Sequence, residues 1–333
     1  MKLTREERRG AELAASAGLP LTITRYYASL ADAEDPRCPI RLQCVPHALE
    51  EERAEGELED PLGEVSNEVA PHLVQRYPDR ALLLVTDQCA LYCRFCTRSR
   101  MVGDGKGPVS DRLLEPAFEY LAAHRDVRDV IVSGGDPLSM VTPRLVRIFE
   151  RLRQIPSIET IRLATRVPVT LPSRITRELL TALKPFHPIW VMTHFNHPRE
   201  VSLRAITALH KFADAGFPVM NQTVLMRGVN DRADVLAELF RALVKHRVRP
   251  YYLLQMDPVV GTNHLRTPLA TGVEIMRELQ GRLSGIALPK LIVDTPGGFG
   301  KVPHGPSFVV GEGRGFTSFR THRANEVRYV DPV

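Results

Sequence analysis

Residues 81–96 read ALLLVTDQCALYCRFC, and two features of this stretch decide the fold. The apolar run over 82–86 predicts a short strand buried on both faces, as in parallel sheets covered by helices. Directly after it, Cys89, Cys93 and Cys96 fall in a C-x3-C-x2-C spacing on one loop. Three thiolates on one loop can hold three irons of a cubane cluster and leave the fourth iron open. Zinc normally takes a fourth protein ligand, which this loop lacks, so a zinc loop would need a distant His or Cys. Three unrelated buried thiols are the blander alternative.

Downstream the same texture repeats. Short apolar runs over 130–133, 161–165, 189–193, 219–225, 251–255 and 291–294 predict strands. Helical patterns lie between them, over 111–124, 143–153, 175–183, 201–215, 233–245 and 273–283. Strand–helix alternation of this kind predicts an α/β fold of parallel βα units. Six or seven units are fewer than the eight of a closed barrel, so a partial (βα)6-type barrel is expected. Upstream, Thr4 and Glu7 have capping-box spacing and open a helix that should stop at Gly18 and Pro20; a second helix is expected over 24–31. The run EEERAEGELEDPLGE at 50–64 reads as a linker or wrapping arm with solvated acids. Gly311, Gly313 and Gly315 between apolar runs predict a β-hairpin cap. The expected division is a helical region with arm over 1–75, a barrel core over 76–302 and a cap over 303–333.

Composition excludes several classes. The 333 residues carry 44 Lys+Arg and 39 Asp+Glu, a formal charge of +5. The basic residues are interspersed and form no tract, which suits solubility and anionic small ligands and gives no nucleic-acid partner. No uninterrupted apolar run of about 18 residues is present, so no membrane span is expected. The opening MKLTREERRGAE has no apolar signal core, which makes the cytoplasm the expected location. Five cysteines, an odd number, argue against a disulfide framework. Cys38 and Cys44 read as inert, partly buried thiols.

The polar residues gather just after strand ends, the edge where parallel βα folds bind ligands. In Ser133-Gly134-Gly135-Asp136 the glycines would let backbone approach a ligand, and the carboxylate could receive an ammonium group. Lys301, in PGGFGK, is presented by a glycine-rich turn, as a Schiff-base lysine requires. His194, Asn196, His197 and Gln222 are candidates to line a cofactor site.

In combination, RYPDRALLLVTDQCALYCRFCTRSR, SGGDPL, TRVPV, THFNHP, NQTVLMRGVND, VRPYYLLQMD, HLRTP and DTPGGFGK resemble the lysine 2,3-aminomutase family of radical S-adenosylmethionine (SAM) enzymes, over about residues 35 to 310. The resemblance implies an isomerase that shifts the α-amino group of a cationic L-amino acid, L-lysine first, to the β-carbon. It implies a [4Fe-4S] cluster on Cys89, Cys93 and Cys96. It places SAM on Ser133, Gly134, Gly135, Asp136, His194 and Gln222. Pyridoxal 5′-phosphate (PLP) would be bound as a Schiff base by Lys301, with Arg76, Tyr77 and Arg80 on its phosphate. Arg98 would take the substrate carboxylate, and Asp257 and Asp294 its distal ammonium. An electron donor such as flavodoxin or ferredoxin is implied, and a homo-oligomer is allowed.

The sequence departs from the family pattern at three places. Phe299 replaces a glycine of the lysine turn, and Leu254 stands where the lysine enzymes commonly carry Tyr. Arg232 follows Asp231 and no cysteine occurs after Cys96, so the intersubunit zinc of some relatives is not expected. Arginine, ornithine and the elongation factor P lysylation pathway are the rival substrates, although that last branch tends to lose the acid pair. A non-catalytic iron–sulfur or zinc protein on the same scaffold is the rival of a different class; it would have no need of Lys301.

Overall fold

In a computed structural model the described residues are 2–17, 19–103 and 105–332; Gly18, the expected helix stop, lies outside them. Thr4 and Glu7 form the capping box that starts the helix Arg5–Ala17, each side chain bonding the other's backbone N–H. Buried Glu7 takes Arg41 in a bidentate pair at 2.5 Å, which ties this helix to the segment carrying Cys38 and Cys44. Both of these cysteines are fully buried, more deeply than the sequence suggests.

Ten strands form one sheet in chain order. β1 (Glu68–Ala70), β2 (Leu73–Tyr77) and β3 (Arg80–Leu84) pair antiparallel. From β3 the pairing turns parallel through β4 (Asp129–Ser133), β5 (Thr160–Ala164), β6 (Ile189–Thr193), β7 (Val219–Leu225), β8 (Val248–Gln255) and β9 (Lys290–Thr295). β10 (Gly300–Pro303) then returns antiparallel along β9. The outward side chains Val130, Val132, Ile161, Leu163 and Val191 are completely buried. They lie under crossover helices that include Asp111–Ala123, Thr142–Arg153, Leu203–Asp214 and Ala233–Lys245.

Every strand from β2 to β10 contributes a residue to one central cavity, so the sheet curls into a partial barrel whose seam lies between β1 and β10. Six βα units and a further strand match the expected architecture. β1 and β2 were not foreseen: they are short and half-exposed, and carry no apolar run. They also carry the sheet back past residue 76, so the expected boundary at 75/76 falls inside β2. The cap is larger than a hairpin. β11 (Val309–Gly313), β12 (Phe316–Arg320) and β13 (Glu326–Val330) make a separate three-stranded antiparallel sheet.

Candidate active site

The barrel encloses a cavity of about 530 Å³, and every residue assigned to cluster, SAM, PLP or substrate in the sequence lines it. That volume lies within the range of small-molecule sites. Asn196 and His197 are the exceptions among the further candidates. Asn196 is fully buried and bonds Gln43 and the Val224 N–H, and His197 caps the turn Pro198–Glu200. Both are structural here.

Parallel register brings the cysteine loop beside the loop after β4, because Leu84 faces Ser133 across the β3–β4 pair. Gly134 has φ +128°, and a Cβ there would lie 2.3 Å from Thr86 O; one on Gly135 would lie 2.3 Å from Gln88 O. These glycines therefore let two backbones close on each other at the root of the cysteine loop, a use the sequence reading gave to a ligand. The Asp136 carboxylate is likewise already engaged. It accepts from the Leu138 N–H, the Thr165 hydroxyl and the Arg166 N–H at 2.7–3.0 Å. Burial raises its pKa, these bonds opposing the rise. These bonds orient it within the loop, and it also lines the cavity.

Among the described residues, no three His, Cys, Asp or Glu side chains stand in a preformed metal-holding group. The cysteine loop is therefore judged by its donor set. Burial raises the Cys96 thiol to about 11, with Cys93 adding to it, and raises Cys89 further, with Asp136 and Cys96 adding. The three thiols of Cys89, Cys93 and Cys96 crowd one wall of the cavity, and like charges there need a cationic partner to ionise together. An iron–sulfur cluster fits that need. The imidazole of His194 also faces the cavity. Burial, then Arg166, lowers its pKa to about 3, so it is neutral. Its buried Nε2 has no hydrogen-bond partner, which leaves one polar contact for a ligand.

At the other side Lys301 lies directly opposite Asp294 in the β9–β10 pair. Its Nζ forms an ion pair with Asp294, and Arg76 holds the same carboxylate at 3.1 Å. The Lys301 N–H donates to the Tyr77 hydroxyl at 2.8 Å. Gly300, at φ +99°, would set a Cβ 2.9 Å from that hydroxyl, so glycine is required where the lysine turn meets Tyr77. The Arg80 guanidinium stacks 3.7 Å from the Tyr77 ring centroid. Both guanidiniums already have a carboxylate partner, Arg76 with Asp294 at 3.1 Å and Arg80 with Asp79 at 2.9 Å, so a phosphate would share them with these acids beside the Tyr77 hydroxyl. Asp257 is pushed up to about 7, by burial first and then by the charge of Asp294.

Arg98 is pinned by Glu64, which accepts from Nε at 2.9 and 3.1 Å and forms an ion pair with Nη2 at 2.8 Å. Arg100 joins Glu64 at 3.0 Å. Burial would raise the Glu64 pKa, but Arg98 and then Arg100 outweigh it and the net shift is downward. Sequence reasoning placed Glu64 in a solvated acidic run; it is 3% exposed and faces the cavity. Arg166 was counted in the sequence among the polar residues just past strand ends, but was given no role of its own. It follows β5, lines the cavity, and its Nη1 donates to Cys93 Sγ at 2.8 Å. The polar residue just past a strand end in TRVPV was the available signal.

A partial barrel bearing three cysteines on the loop after its first parallel strand defines a radical SAM protein. The sequence model of the Radical SAM superfamily matches residues 83–240. The L-lysine 2,3-aminomutase of Acetoanaerobium sticklandii is 46% identical, the match covering 99% of this chain and 80% of that protein. The L-lysine 2,3-aminomutase of Clostridium subterminale is 44% identical, with 99% and 79% covered. The glutamate 2,3-aminomutase of Clostridioides difficile is 40% identical, with 93% and 73% covered. The chain belongs to the lysine 2,3-aminomutase family of radical SAM enzymes.

Proposed function

We propose that this chain moves the α-amino group of a cationic L-amino acid, L-lysine first, to the β-carbon, using a [4Fe-4S] cluster, SAM and PLP. When bound, the cluster and SAM supply a carbon-centred radical, and PLP supplies a delocalised ring that carries the migrating nitrogen. The protein's part is to bind, orient and exclude water.

The observation that carries the reading is the Lys301–Asp294 pair beside Asp257. It is an ammonium site built from two acids, and the chain's own lysine fills it. Covalent use of the Lys301 nitrogen would open Asp257 and the Asp294 oxygen that Lys301 holds to an ammonium from the substrate, Arg76 staying on Asp294. A substrate ending in a third carboxylate would instead meet two acids in a poorly solvated pocket, which is costly. That disfavours glutamate. Arg98, fixed by Glu64 through Nε and Nη2, keeps Nη1 near Ser133 Oγ and Gly134 O, with only long contacts at 3.3 and 3.5 Å. This part of the fork is therefore the part a substrate carboxylate could take. Tyr77 and Arg80 are offered to a phosphate. A one-electron donor such as a flavodoxin or ferredoxin, a cytoplasmic setting and assembly with further copies belong to the same proposal.

Anaerobic reconstitution tests the reading. The protein should take up iron and sulfide, show the absorbance band of lysine-bound PLP, and cleave SAM to methionine and 5′-deoxyadenosine under reduction. Lys301→Ala should lose the covalent band. Cluster uptake without PLP or SAM cleavage would leave a non-catalytic iron–sulfur protein.

A further inference from the structure

Arg166 is the most heavily committed side chain near the cysteine loop, and it has no place in the roles assigned above. Its guanidinium is buried. Nη1 donates to Cys93 Sγ at 2.8 Å. Nη2 faces Gln43 Oε1 at 2.6 Å, Glu200 Oε1 at 2.8 Å and the Tyr27 hydroxyl at 3.1 Å. Nε reaches His194 O at 3.3 Å. The acceptors are themselves fixed. Tyr27 donates to Glu200 at 2.6 Å, and Glu200 accepts the Asn196 and His197 N–H groups at 2.5 and 3.0 Å. Tyr27 and Glu200 are fully buried. The network thus runs from the N-terminal arm, through Tyr27 and Gln43, to one thiol of the loop.

From this geometry we infer that Arg166 is a positioning residue that sets the reduction potential of the cluster through Cys93. The inference rests on the cluster reading above. A guanidinium is always charged and its fork has fixed directions. Aimed at a ligand sulfur away from water, it stabilises the more negative, reduced state, because net charge and hydrogen bonds to sulfur set these potentials. Glu200 acts in the opposite sense. Its carboxylate, completely buried beside the same guanidinium, partly offsets the positive field at Cys93. Tyr27 contributes direction without charge. The arm therefore does more than wrap the barrel: it holds the cation that tunes the loop.

The test is an EPR-monitored redox titration of the reconstituted cluster, without SAM, in wild type, Arg166→Gln, Glu200→Gln and Tyr27→Phe. Iron and sulfide content is measured first. Arg166→Gln should lower the potential so that, at the wild-type midpoint, the reduced-to-oxidised ratio falls at least tenfold, equivalent to 59 mV for one electron. Glu200→Gln should shift the ratio several-fold the other way, and Tyr27→Phe by less than either. Opposite signs at Arg166 and Glu200 are what a merely structural role cannot give, since loosening the loop would move both variants alike. Loaded variants with unchanged potentials, or shifts of the same sign, overturn the inference. If Arg166→Gln takes up no cluster, Glu200→Gln decides: a raised potential supports the inference and an unchanged or lowered one ends it. Wild type that takes up no cluster fails the proposed function instead, and the two failures are told apart by iron and sulfide analysis.

Discussion

Asp257 and Asp294 meet at the strand edge with their charges opposed, and burial adds to the cost of ionising both. Burial and then Asp294 push the Asp257 carboxyl up to about 7, while a lysine side chain stays protonated well above that. The folded pKa is raised, so the folded protein keeps a proton that the unfolded chain has lost. Stability contributed by that proton is present at low pH and declines as pH rises towards 7. Binding runs the other way, since an ammonium ligand needs the carboxylate ionised. The KM for a cationic substrate should fall about tenfold between pH 6 and pH 8, following the ionised fraction of a group titrating near 7, and Asp257→Asn should flatten that profile. Glu64 is the opposite case, with its folded pKa depressed by Arg98 and Arg100. Its stabilisation is present above the ordinary carboxylate range and is lost as pH falls through the folded value. Removing the charge leaves half-buried Arg98 without its buried partner, so Glu64→Gln should cost about 3 kcal/mol in urea unfolding at pH 7. A change below about 0.5 kcal/mol would place Glu64 among the solvated acids of its run.

At the scale of elements, the junction of β3, the cysteine loop and the loop after β4 depends on backbone approach at Gly134 and Gly135. Gly134→Ala combines a backbone angle of +128° with a Cβ 2.3 Å from Thr86 O. It should destabilise by about 2–4 kcal/mol in thermal or urea melts and reduce iron uptake; a stable variant with full iron would show that the junction can shift. The parallel strands were legible because strands buried on both faces are nearly uninterrupted apolar runs, as in β3 and β4. β1, β2 and β10 were not, since short edge strands rich in polar residues or glycine carry no such run. The site was legible where chemistry forces a residue type, as at Cys89, Cys93, Cys96 and Lys301. Buried charges are harder to find. Glu64 reads as a solvated acid and Arg166 as a strand-end residue without a role until the fold shows which partners neutralise them, and the partners that orient the Asp136 carboxylate appear only when Thr165 and Arg166 are placed beside it.

For the whole molecule, one cavity touched by every strand from β2 to β10 gathers several anion- and cation-binding groups that pair with one another. Arg98 with Glu64 and Lys301 with Asp294 leave few uncompensated charges until ligands exchange places with them. PLP should therefore stabilise the folded chain markedly, by about 2.7 kcal/mol at a hundredfold excess over its Kd. A thermal shift series should show this in wild type and far less of it in Lys301→Ala. The overall charge of +5 takes little part in this selectivity, which lies in the paired charges of the cavity. The most direct test is anaerobic turnover of the reconstituted enzyme on lysine, arginine, ornithine and glutamate, with products resolved by mass and NMR. The account predicts a β-amino product from lysine and none from glutamate. A β-amino product from glutamate alone, or none from any cationic amino acid under conditions where SAM is cleaved, would contradict it.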